Sequence, residues 1–126
     1  HGIPQSYFDK GDPYQCYCQK TTRLMREKFN SIEIKTTFQS RFGPQEWLKP
    51  YTDKTLESLP KEGIKNLLII CPGFASDCVE TLEEINIAGR ESFMNSGGKN
   101  FDLIPCLNDS PQHIDLFQHL IKKYIY

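Results

Sequence analysis

No stretch of this chain approaches the roughly 20 consecutive apolar residues of a membrane-spanning helix, and no basic-then-apolar leader pattern occurs in it. A soluble protein is the expectation. There is no excess of either charge: 15 Lys and Arg stand against 16 Asp and Glu, for a formal charge of −1, and the signs are mixed along the sequence. That balance argues against a nucleic-acid-binding surface. No Cys-x-x-Cys pair supports a zinc site, and no Gly-x-Gly-x-x-Gly run supports nucleotide binding. The 5 cysteines are odd in number and irregularly spaced, which fits free thiols in a reducing compartment, the cytoplasm, better than a disulfide framework. Internal repeats and low-complexity linkers are also missing. The 126 residues are near the usual size of one domain and long enough to bury a core.

What is present is an alternation of helical and extended patterns. Residues 13 to 29 read as a helix, with Asp12 as a cap and Pro13 in the first helical position. Residues 32–38 alternate and are β-branched, as in a strand. A loop bearing Pro and Gly leads to a helix over 52–61, with Thr52 and Thr55 as competing caps and Gly63 as its stop. The apolar run 66–71 reads as a strand buried on both faces. A long helix over 77–95, a short strand over 101–105 and a closing helix over 111–124 complete the chain. Such alternation predicts an α/β fold, a parallel sheet with helices on both faces.

The segment joining the central strand to the long helix, Cys71-Pro-Gly-Phe-Ala-Ser-Asp-Cys-Val-Glu-Thr-Leu-Glu-Glu84, carries the most chemistry. With Ser76 as cap, Asp77, Glu80 and Glu84 fall at i, i+3 and i+7, on one helical face. In open α/β sheets, ligands bind beyond the carboxyl ends of the strands, where this loop lies. The three carboxyls can bind a cation or accept protons there. The simpler local reading is that acidic residues in a first turn complement the helix dipole. Cys71 and Cys78 flank the loop and are near enough in sequence to approach each other or a metal, although buried free thiols are the ordinary state. Cys16 and Cys18 would point about 160° apart on a helix, and His113 and His119 about 120° apart, so neither pair makes a metal site.

Read in order, His1-Gly-Ile-Pro-Gln5, Asp9-Lys-Gly-Asp-Pro-Tyr14, Phe38-Gln-Ser-Arg-Phe-Gly-Pro44, Trp47-Leu-Lys-Pro-Tyr-Thr-Asp53, the loop from Cys71 to Glu84 and Leu107-Asn-Asp-Ser-Pro111 closely resemble the C-terminal half of ferrochelatase, of the Gram-negative bacterial type. That family inserts ferrous iron into a porphyrin to make haem. The resemblance extends over nearly the whole chain. It implies a Rossmann-like three-layer α/β/α domain with a parallel sheet, spanning residues 1–126 as a single C-terminal domain, with the N-terminal domain outside this sequence. It also implies that ferrous iron and protoporphyrin IX are the substrates. Some relatives hold an iron–sulfur cluster through cysteines in a C-terminal extension. The chain ends at 122–126 without one, so no cluster is expected.

By this resemblance His1 is the active-site histidine, a group that titrates near neutrality and can take a pyrrole proton. Glu80 is its acidic partner, and Glu84 and Asp77 continue the polar chain, so that His1, Glu80, Glu84 and Asp77 are the candidate metal-facing set. Phe74 and Trp47 correspond to aromatics that wall the porphyrin pocket, although packing alone explains buried aromatics equally well. Ser40 and Arg41 are candidate porphyrin contacts, Arg41 toward a propionate or else in an internal ion pair. Relatives often have histidine where Cys78 stands, which removes a proton carrier. Two alternatives remain at this point: a related chelatase loading cobalt or iron into another tetrapyrrole, and a non-catalytic Rossmann-like binding domain, dimeric through the face that would meet the missing half. Peripheral membrane contact, known in some relatives, is attributed mainly to N-terminal segments. The isolated chain is expected to be inactive.

Overall fold

The computed structural model describes residues 1–125, so Tyr126, the last residue of the terminal segment quoted above, lies outside it. In chain order the elements are α1 (Gln5–Asp9), α2 (Tyr14–Lys28), α3 (Thr52–Ser58), β1 (Asn66–Ile69), a π-helix (Glu80–Gly89) running directly into α4 (Arg90–Asn95), β2 (Asn100–Leu103) and α5 (Pro111–Ile121). The two strands pair in parallel, Asn66 opposite Asn100 and Ile69 opposite Leu103, with the π-helix and α4 as the crossover. The mixed α/β class therefore holds, and among the described residues the sheet has two strands.

The core forms where the crossover lies on this small sheet. Leu56 and Leu59 from the α3 region, Ile85 from the π-helix, Phe93 from α4, Phe101 from β2 and Cys71 are buried together, with Leu67, Ile69, Phe74 and Leu103 packed against them. The Phe93 and Phe101 rings meet at 5.8 Å between centroids with a tilt of 52°, a favourable edge-on geometry. Arg90 lies over Phe101 and donates to its carbonyl and to the carbonyl and side-chain oxygen of Asn86, so its guanidinium ties the helix to β2. The end of α4 is a Schellman turn: Gly98 N–H donates to Phe93 O and Gly97 N–H to Met94 O, with Gly97 at φ +101. A side chain at Gly98 would strike the Phe93 ring at 2.2 Å, so the glycine lets the core phenylalanine close over its own helix end.

Three expectations are altered. Residues 32–38 form no strand; only Phe38 makes an isolated bridge, to Tyr51. The cause is local, because Arg26 donates to the Ile34 carbonyl and Thr36 bonds Thr22 and Gln19, so α2 side chains occupy the segment instead of a strand ladder. The run 66–71 is not covered on both faces: Leu67 and Ile69 face the core, while Leu68 is 62% exposed and Ile70 is also exposed, because no described element packs on that side. The long helix begins at Glu80, not at residue 77, and its first ten residues are π-helical. The reading of α2 holds with a one-residue shift, since the Asp12 carboxylate accepts the Tyr14 N–H at 2.9 Å. Helix α1 was not anticipated. No described helix is long and apolar enough to cross a membrane.

Because Phe93 is fully buried against Phe101, Phe93→Ala should lower the unfolding free energy by about 3–5 kcal/mol, measured as a shift of the denaturant midpoint with little change in slope. A loss under about 1 kcal/mol would mean that this core does not hold the crossover to the sheet.

Candidate functional site

The site is assembled on the first four residues, which precede α1 and pass between two other segments. Gly2 N–H donates to Gln39 O at 2.8 Å on one side; on the other, Leu48 N–H donates to Ile3 O at 3.0 Å and Gln5 N–H to Glu46 O at 2.9 Å. Gly2 is buried at this crossing, and a Cβ there would lie 3.2 Å from both Gln39 O and the Trp47 ring. The Tyr14 hydroxyl donates to His1 O at 2.7 Å, anchoring the segment to α2. The exposed imidazole of His1 is flanked by two rings, Trp47 at 6.1 Å and Phe74 at 6.3 Å between centroids. Trp47 is fixed by its indole N–H on Phe42 O at 2.8 Å. Phe74 is positioned by the turn after β1, in which its N–H donates to Cys71 O at 3.1 Å. One aromatic face thus surrounds the histidine.

The carboxylates are held separately. Asp77 precedes the helix and is clamped by Asn108, whose Nδ2 donates to Asp77 Oδ2 and whose Oδ1 accepts the Asp77 N–H, each at 2.9 Å. Asn108 adopts a left-handed φ of 47, and the buried His113 ring bonds its carbonyl at 2.6 Å. The Thr81 hydroxyl donates to Asp77 at 2.9 Å and accepts the Cys78 N–H at 3.0 Å, taking the capping role expected of Ser76. Hydrogen bonds from Asn108 first, then Thr81, hold the Asp77 carboxyl below its usual range. The Cys78 thiol does the same for Glu80, with the residue's own backbone N–H assisting. Both are therefore ionised at neutral pH.

Glu84 lies one helical turn on and meets the 38–41 segment. Its carboxylate accepts the Ser40 N–H at 2.8 Å, the Ser40 hydroxyl, and Gln39 Nε2 at 3.2 Å. Ser40 sits at φ 65, a left-handed conformation that turns both of its donors toward the glutamate. Gln39 Nε2 also donates to Glu80 O at 2.8 Å. Phe38, Gln39, Ser40, Arg41, Asp53 and Glu84 line a cavity of about 220 Å³, which is below the usual size of an organic-ligand pocket and suited to an ion or a few waters. Arg41 forms a bidentate pair with Asp53 at 2.7 and 2.8 Å and stacks on Tyr51 at 4.2 Å.

The expected residues thus fall into two groups. His1, Trp47 and Phe74 form the aromatic group, while Ser40, Arg41 and Glu84 share the cavity. Glu80 is joined to the cavity through its carbonyl, and Asp77 is turned toward the 106–108 loop. No three His, Cys, Asp or Glu side chains converge as a metal cage among the described residues. Sequence reasoning overlooked Gln39, Thr81, Asn108 and Gly2, although all four lie inside motifs quoted for other residues.

All 5 cysteines are free. Burial pushes the Cys71 thiol up to about 11, and burial followed by its contact with Asp77 does the same for Cys106. Both thiols are therefore protonated and weakly nucleophilic near neutral pH. Iodoacetamide at pH 8 should accordingly label the exposed Cys16 well before Cys71 or Cys106, as read by peptide mass spectrometry; the opposite order would contradict this assignment.

Comparison with known proteins identifies the family. Residues 1–125 match the family model for ferrochelatase. The chain is 58% identical over 125 residues, 98% of its length, to a ferrochelatase of Rhizobium meliloti (strain 1021), and 56% identical over the same length to one of Agrobacterium fabrum. It is 51% identical over 129 residues to a ferrochelatase of Francisella tularensis subsp. novicida. It spans only 37%, 36% and 38% of those three relatives' own lengths. A family match over residues 1–125 and identities of 51–58% across almost the whole chain place this chain in the ferrochelatase family.

Proposed function

We propose that the protein containing this chain inserts ferrous iron into protoporphyrin IX, and that this chain supplies the proton-accepting side of the reaction. The observation that carries the reading is the His1 imidazole between Trp47 and Phe74, connected through Gly2 and Gln39 to the helix of Glu80 and Glu84. A flat macrocycle needs flat apolar walls, and the two rings provide them beside a base.

The reaction loses two pyrrole protons as the metal enters, giving neutral haem. The imidazole of His1 accepts a proton from the macrocycle face. Glu80, ionised and at the helix start, is the second acceptor or the carboxylate that attracts the incoming ferrous ion. Glu84 extends the negative path toward the cavity it shares with Ser40, while Asp77 is held toward the 106–108 loop. Arg41 has its fork occupied by Asp53, so a propionate would have to share or displace that partner. Ser40 acts through Glu84, to which its hydroxyl is bonded. Iron enters as substrate. The free thiols suit a reducing cytoplasm, and the complete protein would have the Rossmann-like three-layer fold, with further strands and helices covering the open face of β1.

The test is an anaerobic metallation assay on the full-length protein. Glu80→Gln should lower kcat for ferrous insertion by about 100-fold or more while porphyrin binding, followed by absorbance, is retained. Unchanged insertion would reduce Glu80 to helix electrostatics. The chain of residues 1–126 alone should show no turnover, because the rest of the pocket wall is contributed by the remainder of the protein; a rate comparable to the full-length enzyme would refute that division.

A further inference from the structure

Gln39 bridges the histidine segment and the acidic helix. Its backbone carbonyl accepts the N–H of Gly2, the residue after His1, at 2.8 Å. Its side-chain amide donates to the Glu80 carbonyl at 2.8 Å and to the Glu84 carboxylate at 3.2 Å. The residue is buried, 8% exposed, so these donors work in a low-dielectric setting where a lost partner is felt strongly. The Glu80 carbonyl lies in the first turn of the π-helix, so this bond ties the helix start directly to the 38–41 segment.

We propose that Gln39 is a positioning residue for metal insertion: it fixes the helix start that presents Glu80, and the Glu84 carboxylate behind it, relative to the His1 segment. It acts through those groups, with no contact to the macrocycle required. This inference rests on the reading of His1 and Glu80 as the proton-accepting pair. Misplacement of a catalytic group by about 1 Å costs roughly 100-fold in rate, so removal of this tie should be seen in turnover and not in substrate binding.

The experiment uses the full-length protein in the anaerobic ferrous assay, with kcat and porphyrin KM measured separately. Gln39→Met, close in shape but without donors, should lower kcat by roughly 10- to 100-fold and leave KM within about twofold. The decisive readout is a double-mutant cycle with Glu84→Ala. If Gln39 works through Glu84, the Met substitution costs several-fold less in the Glu84→Ala background than in the parent. Equal fractional losses in both backgrounds, a loss confined to KM, or an unchanged kcat would each overturn the proposal. Should Gln39→Met not fold, judged by its thermal melt, Gln39→Asn keeps the amide but shortens its reach by one methylene and is read against the same outcomes. Glu80→Gln, run in parallel, separates the two levels: insertion unaffected by Glu80→Gln sinks the function reading, whereas abolished insertion there with normal Gln39 variants sinks only this inference.

Discussion

The hydrogen bonds that Gln39 and Ser40 give to Glu84 and to the Glu80 carbonyl are the constraint on which the functional half of this chain depends. The segments they join are distant in sequence and share no strand ladder, because the expected strand over 32–38 is spent on bonds to α2. Hydrophobic burial holds α3, the crossover and the sheet together, but it is not directional. It cannot by itself set the azimuth of a carboxylate. Charge-assisted hydrogen bonds from a buried amide and from a serine locked at positive φ can, since both distance and angle are specified.

The π-helix gives this constraint its significance. A ten-residue π-helical run is an unfavourable way to use backbone hydrogen bonds, and such runs are rare except as single turns near functional sites. Here each end has external support. Thr81 and Asp77, with Asn108, hold the entry, and Arg90 ties the exit to Phe101. Gly89 allows the Leu56 side chain and the Glu84 carbonyl to approach the widened turn, where a Cβ would stand 3.1 and 3.2 Å from them. The helix is therefore maintained by its surroundings more than by its own ladder, and a change in the loops around it is transmitted to Glu80 and Glu84.

Much of this was legible beforehand, for reasons that differ by element. The helix α2, the end of the long helix at residue 95 and the start of α5 at residue 111 follow from local capping and turn chemistry, which tertiary context rarely overrides. The apolar character of β1 was evident, but its one-sided burial was not, because a both-face burial pattern presumes covering elements that these residues do not contain. The π-helix was invisible: the i, i+3, i+7 spacing of Asp77, Glu80 and Glu84 is compatible with a regular α-helix, and only the lateral partners decide otherwise. Alternation at 32–38 misled because alternation reports a face, not the presence of a neighbouring strand. Among candidate site residues, those with an independent chemical identity, His1, Glu80 and Trp47, could be singled out from motif and residue type. Gln39 and Asn108 were not, since an amide acquires its role only from what the fold puts beside it.

This difference bears on how the site achieves its geometry. The chemically distinctive groups lie on exposed or half-buried edges: His1 is exposed, and Glu80 and Glu84 are half-buried. Exposed ionisable side chains are individually mobile, and the free energy of any one surface contact is about 1 kcal/mol or less. Order at that edge must therefore be imported from buried polar groups. Gln39 at 8% exposure, Thr81 at 0% and His113 at 5% are buried and hydrogen-bonded, and each leads to one of the edge segments. Neutral amides and hydroxyls suit that task better than charges, because they are buried without the desolvation cost of an ion while still directing a carboxylate. An exposed edge of ionisable groups can thus have its precision carried by the polar groups buried beneath it.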